Sequence, residues 1–209
     1  MNIAVKKSIG VDTLPNITAI VLAAGESRRM GARNKMELII NGQELIRQTV
    51  STILASNVNE IIVVTGYQAD VVRNSLIGLP VVKVHNDDYQ QGQMSSVHKG
   101  LGKIEKVCDG IMVCLGDQPL LNCDDINYLI TAFNTRAHGS ILVPTYKGLR
   151  GNPIILSYKH RDRILSDKSN LGCKKLIEKK PELVCAVEME NDHVITDIDS
   201  PQDYEHLTL

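Results

Sequence analysis

The stretch Thr18-Ala19-Ile20-Val21-Leu22-Ala23-Ala24-Gly25-Glu26-Ser27-Arg28-Arg29-Met30-Gly31 passes from an apolar run into a loop of small and basic residues. Residues 18–23 are apolar at successive positions, the pattern of a strand covered on both faces of a parallel sheet. Short runs at 60–65, 80–84, 110–115 and 140–144 are rich in Val and Ile and read the same way. Between them the spacing turns helical. Ile46, Val50, Ile53 and Leu54 share one face. Val97, Leu101 and Ile104 share another, with Ser95 or Ser96 placed as N-cap. Ile126, Leu129, Ile130 and Phe133 repeat at i, i+3, i+4 and i+7. Alternating strands and helices predict an α/β fold, a single Rossmann-like three-layer domain with a mostly parallel sheet and right-handed crossovers. After Pro144 the order is less regular: 152–156 and 183–187 read as further strands, and Ser200-Pro201 opens a last helix. Residues 1–16 read as an N-terminal extension ahead of a domain spanning 17–209.

The composition narrows the function. A chain of 209 residues suits one full core. Its net charge of −1 is not that of a protein built to coat nucleic acid or an anionic membrane. Trp is absent and Phe133 is the only Phe, so the core is aliphatic and base-stacking platforms are not expected. The five cysteines form no C-x-x-C pair, which argues against a disulfide framework or a zinc site. No apolar run reaches membrane-spanning length, and the N-terminus lacks the apolar core of a signal peptide. A cytoplasmic protein with reduced thiols is the expectation.

In a doubly wound fold, ligands bind at the carboxyl ends of the strands. The segments after the first and fourth strands are therefore the places to search. After the first, Ala23, Ala24 and Gly25 let a ligand approach the backbone, whose N–H groups can cradle phosphate oxygens. Arg28, Arg29, Arg33 and Lys35 then supply four cations within eight positions. A triphosphate needs both features, although a solvated basic loop has the same composition. The loop is neither Walker A nor G-x-G-x-x-G. After the fourth strand comes Gly116-Asp117-Gln118-Pro119. Asp117 is a turn former by composition and, by its place at a strand end, a ligand for Mg²⁺, which takes one or two protein carboxylates. A second acidic segment, Asp197-Ile198-Asp199-Ser200-Pro201-Gln202-Asp203, puts Asp197 and Asp199 on one face of an extended chain. Ser200 as N-cap, Pro201 at N1 and Asp203 at N3 give the rest a structural role in starting a helix.

These motifs together resemble one family. L-A-A-G-x-S-x-R-M-G-x-x-x-K over residues 22–35 is similar to the signature of the MobA-like NTP transferases, a branch of the nucleotide-diphospho-sugar transferase superfamily. The resemblance covers Ile17 to the end and implies that superfamily's fold. By the match, Leu22, Ala23, Ala24 and Gly25 bind nucleotide. Arg29 and Lys35 take the catalytic cation positions, and Arg28 falls on a variable one. G-D-Q-P resembles the family's metal motif, which makes Asp117 a catalytic Mg²⁺ ligand. D-x-D-[ST]-P-x-D is similar to its C-terminal motif, which favours Asp199 over Asp197 as the second ligand. Gly92-Gln93-Met94-Ser95-Ser96 resembles the base-recognition segment and implies base contacts from Gly92 and Ser96, with helix capping as the structural alternative. Leu149-Arg150-Gly151-Asn152-Pro153-Ile154 resembles an R-G-[HN]-P-[VI] motif of the cytidylyl branch and implies that Arg150 and Asn152 lie beside the acceptor; a tight turn is the alternative. At 170–174 the chain has N-L-G-C-K where relatives often show D-x-G-x-R, so no role is carried there, and the lysines around it read as a solvated helix face.

The nearest branch, molybdenum cofactor cytidylyltransferase, implies CTP and the phosphate of molybdopterin as substrates, Mg²⁺ as cofactor and a molybdoenzyme client. A sugar or polyol phosphate acceptor is the alternative within the class. A non-catalytic nucleotide-binding factor in molybdoenzyme maturation is the alternative outside it.

Overall fold

A computed structural model describes residues 13–31, 33–166 and 173–208. In chain order the elements are β1 (Ile17–Ala23), β2 (Ile39–Ile40), β3 (Gln43–Glu44), α1 (Leu45–Leu54), β4 (Glu60–Thr65), α2 (Ala69–Ser75), β5 (Val82–His85) and α3 (Gln93–Lys103). Then follow β6 (Gly110–Leu115), α4 (Cys123–Thr135), β7 (Ile141–Tyr146), β8 (Leu149–Arg150), β9 (Ile154–Ser157), α5 (Arg161–Ser166), α6 (Cys173–Lys179), β10 (Val184–Glu188) and α7 (Pro201–Thr208). The main sheet runs β10-β7-β9-β6-β1-β4-β5, with β8 paired to β7. β9 alone in that row is antiparallel to its neighbours, so the sheet is mostly parallel, as the sequence predicts.

All seven residues of β1 are buried. They alternate: Ala19, Val21 and Ala23 face a core built with α1, α2 and α4, whereas Ile20 and Leu22 face one built with α3, α5 and α6. This period of two across a doubly covered sheet makes the three layers. Each large aliphatic side chain removed from water in this way contributes roughly 1.5–3 kcal/mol. α3 lies so close to β1 that a Cβ built on Gly100 would stand 2.4 Å from Ile20 Cγ2. α4 starts on a capping box in which Asn122 and Asp125 satisfy each other's backbone N–H groups. Deep burial pushes the Cys114 thiol up to about 12, so it acts as a small apolar core residue. Among the described residues no helix is long and apolar enough to cross a membrane.

The strand boundaries differ from expectation by one or two residues: β5 begins at Val82 rather than 80, and β7 runs on to Tyr146. The β2–β3 hairpin and α2 carry no strong periodicity and were not expected. One consequence of the strand order places the site. The chain goes from β1 to β4 and β5 on one side, then returns past β1 to β6 on the other. The carboxyl ends of β1 and β6 therefore flank the switch point, where the loops part and leave a crevice.

Candidate active site

The loop leaving β1 turns at Ser27, which has a left-handed backbone (φ 52°), and its Oγ accepts from the backbone N–H of Lys35 at 3.2 Å. Buried Asn34 caps the short turn Lys35–Glu37 by accepting from Met36 N at 3.1 Å. Met30, Leu38, Ile40 and Leu45 pack with Ile198 in a small separate core, against which Tyr204 and Leu207 of α7 rest. Tyr204 Oη donates to Ile39 O at 3.0 Å. Apolar packing thus brings the basic loop and the C-terminal acidic segment together, although they lie far apart in sequence. Ser200 and Asp203 form the cap expected at the start of α7, and Asp203 also accepts from Asp199 N at 3.0 Å.

That packing builds a charge cluster. Lys35 Nζ pairs with Asp117 Oδ2 and donates to Asp199 Oδ1 at 3.0 Å and to Ile198 O at 3.1 Å. Arg29 Nη2 reaches the other oxygen of Asp199 at 2.6 Å. Ile198 N donates to Asp117 O at 3.0 Å, which ties the acidic arm to the end of β6. Burial alone would lower the Lys35 pKa, but the Asp117 and Asp199 carboxylates hold it above its usual value. Burial likewise works against ionised Asp199, and Lys35 and Arg29 overcome it and lower its pKa. Asp197 goes the other way: burial, then the neighbouring Asp117 and Asp199 charges, raise it.

One oxygen from each of Asp117, Asp197 and Asp199 lies within 4.8 Å of the others. Asp117 Oδ1 is buried and makes no hydrogen bond in the structure. Hard carboxylate oxygens around an unsatisfied buried acceptor fit a hard divalent cation such as Mg²⁺ or Mn²⁺.

A cleft of about 330 Å³ opens beside the cluster. Gly25, Lys35 and the three aspartates line its charged end; Leu22, Ala24, Leu115, Tyr89, Gly92 and Ser96 line the remainder. Of the residues expected at the site, Ala23 lies buried beneath the loop, and Arg29 stands outside the cleft and touches it through Asp199. Arg150 and Asn152 are not at the cleft. Arg150 is exposed on β8, and Asn152 N donates to Val194 O at 2.8 Å, on the segment leading to Asp197. The expectation that Ser95 or Ser96 caps α3 does not hold. The helix begins earlier, with Gly92 (φ 98°) as N-cap, so both serines sit inside its first turn. Tyr89 at the cleft wall was missed; its only signal is its place in the turn that ends at Gly92. Residues 170–172 lie outside the described residues, as do the side chains of Lys174 and Lys175.

The model of the MobA-like NTP transferase domain matches residues 19–184. The chain belongs to this family. It is accordingly a nucleotidyltransferase. The purine catabolism protein PucB of Bacillus subtilis is 30% identical over 91% of this chain and 95% of its own length. Nicotine blue oxidoreductase of Paenarthrobacter nicotinovorans is 27% identical over 92% and 96%. Molybdenum cofactor cytidylyltransferase of Escherichia coli is 28% identical over 90% and 93%. Among solved structures, Rv0371c of Mycobacterium tuberculosis superposes with a TM-score of 0.81 at 25% identity, covering 93% of this chain and 98% of that one. A second structure of that protein is a complex with manganese.

Proposed function

We propose that this chain is a Mg²⁺-dependent cytidylyltransferase, with residues 17–209 as its catalytic domain, that transfers CMP from CTP to the phosphate of molybdopterin and releases pyrophosphate. The observation that carries the reading is Lys35 paired with both Asp117 and Asp199 at the mouth of the β1 loop. Cations of a phosphate loop and carboxylates of a metal site meet at one end of a cleft large enough for a nucleotide.

In this reading, backbone N–H groups around Ala24 and Gly25 orient the triphosphate. An oxygen of the acceptor phosphate attacks the α-phosphorus in line. The new P–O bond forms as the bond to the bridging oxygen breaks, and the electron pair leaves with pyrophosphate. Arg29 and Lys35 donate to phosphate oxygens and offset the charge that develops on the leaving group. Asp117 and Asp199, with Asp197 beside them, would hold a divalent cation, which would supply further charge neutralisation. No covalent intermediate on the protein is required; positioning and electrostatics provide the rate. Arg150 and Asn152 are proposed at the acceptor side, on the R-G-N-P motif shared with the cytidylyl branch.

The test is release of pyrophosphate from CTP, GTP, ATP and UTP with Mg²⁺, with and without molybdopterin. Release from CTP that depends on molybdopterin is expected. Release with a sugar or polyol phosphate instead would move the acceptor, and no release from any NTP would overturn catalysis.

A further inference from the structure

Asn86 directly follows β5 and is 2% exposed. Its backbone N–H donates to Thr65 O at 2.8 Å, which extends the sheet ladder by one residue. A side-chain amide offers two N–H donors and one acceptor oxygen. Asn86 Oδ1 accepts from the backbone N–H of Asp88 at 3.1 Å. A backbone amide can only donate, so this bond settles which end of the Asn86 side chain is oxygen.

The two Nδ2 protons then point at α3. One goes to Ser95 Oγ at 2.8 Å and the other to Ser96 Oγ at 3.0 Å. Ser95 passes its own proton to Gly92 O at 2.8 Å. Ser96 is buried, lines the cleft and accepts from Asn86, and among the described residues nothing accepts its hydroxyl proton. With one lone pair engaged by Asn86, the hydroxyl keeps a second lone pair and its proton, and of these the proton is the group that needs a partner from whatever fills the cleft.

We propose that Asn86 is a specificity-determining positioning residue: it fixes the Ser96 hydroxyl as a donor towards the nucleobase, so the cleft takes a base with a ring-nitrogen acceptor at that point. This rests on the reading that the base of an NTP occupies this end of the cleft. Cytosine N3 is such an acceptor. Uracil has the same size but carries N3–H; the second lone pair of Ser96 Oγ accepts it only if the hydroxyl proton turns away, and among the described residues that proton then has no acceptor.

The decisive variant is Asn86→Asp. The ionised side chain keeps the shape but only accepts, so both serines must donate to it and Ser96 turns its proton away from the cleft. CTP and UTP binding, with Mg²⁺ present, is measured by calorimetry for wild type, Asn86→Asp, Ser96→Ala and the double variant. Wild type should bind CTP on the order of tenfold tighter than UTP, the scale of one well-placed polar contact. Ser96→Ala should bring the ratio to about one, Asn86→Asp should bring it to one or invert it towards UTP because Ser96 Oγ can then only accept from the cleft, and the double variant should match Ser96→Ala. A folded Asn86→Asp with the wild-type ratio overturns the proposal, as does a wild type without the preference. If Asn86→Asp does not fold, an unchanged ratio in Ser96→Ala overturns it equally. Pyrophosphate release judges the nucleotidyltransferase reading separately: its absence would sink that reading, while the binding ratios would still judge Asn86.

Discussion

Lys35 is bonded to Asp117 and to Asp199 at once, the second contact being 3.0 Å, and so joins the end of β6 to a segment more than eighty residues later. The pairing draws together the two halves of the charged site, and its consequences can be measured.

Asp117→Ala should abolish turnover and leave the fold intact. Asp117 Oδ1 is buried without a partner, so removing the carboxylate costs little stability there. Lys35 keeps Asp199 and Ile198 O as partners. A loss of more than about a hundredfold in rate is expected, as for removal of a preorganised electrostatic group, with thermal unfolding near that of wild type. A near wild-type rate at saturating Mg²⁺ would remove Asp117 from the site.

Arg29→Ala and Lys35→Ala should each reduce activity far more than Arg28→Ala. Arg29 bonds Asp199 at 2.6 Å, whereas Arg28 pairs locally with Glu26 and its side chain is 80% exposed. Removing Arg28 costs at most an exposed ion pair of about 0–1 kcal/mol. Steady-state rates for the three variants settle the register of the loop; greatest sensitivity at Arg28 would show that it runs differently.

Stability should fall as the pH drops below the ordinary histidine value, because of His160. Burial, then the charges of Lys159 and Arg163, hold its pKa below 6.5. The unfolded chain binds a proton there that the folded chain resists, so the contribution is absent above pH 6.5 and becomes a loss as pH falls through that value. Urea unfolding at about pH 7.5 and about pH 5.5 reads it. His160→Gln should flatten the slope, even though it disturbs the 2.7 Å contact with Ser140 Oγ. Parallel pH dependence in both proteins would exclude His160 as the cause.

CTP should be preferred over GTP. Ala24 lines the cleft and is held tightly against Gly66 and Tyr67. Its carbonyl accepts from Tyr67 N at 3.2 Å, and a Cβ built on Gly66 would lie 2.8 Å from Ala24 Cβ. The steric part of the discrimination is worth about 1–3 kcal/mol, the scale of one methylene. The measurement is kcat/KM for the four NTPs with a competent acceptor, for wild type and for Ala24→Gly, which should gain relative activity with GTP. Equal or better use of GTP by wild type would reject the cytidylyl assignment and leave the nucleotidyltransferase standing.

The sequence by itself determined the order and type of the main elements, because a strand covered on both faces must be apolar at nearly every position and β1, β4 and β6 satisfy that within their own length. It also determined the phosphate loop and the carboxylate at the end of β6, since position after a buried strand is a local property of the chain. The cap of α7 was equally local, with Ser200 and Asp203 three residues apart. The start of α3 was misread because Gly92, rather than either serine, takes the backbone conformation that opens the helix. Tertiary structure alone brought Asp197 and Asp199 to Asp117, through Ile198 in a small core with Met30 and Leu38. It alone aimed the Asn86 amide at two serines on another element, and left Arg150 outside the lining of the cleft. These are contacts between residues distant in sequence; they are fixed by how helices and loops pack on a twisted sheet, and no local pattern encodes that packing.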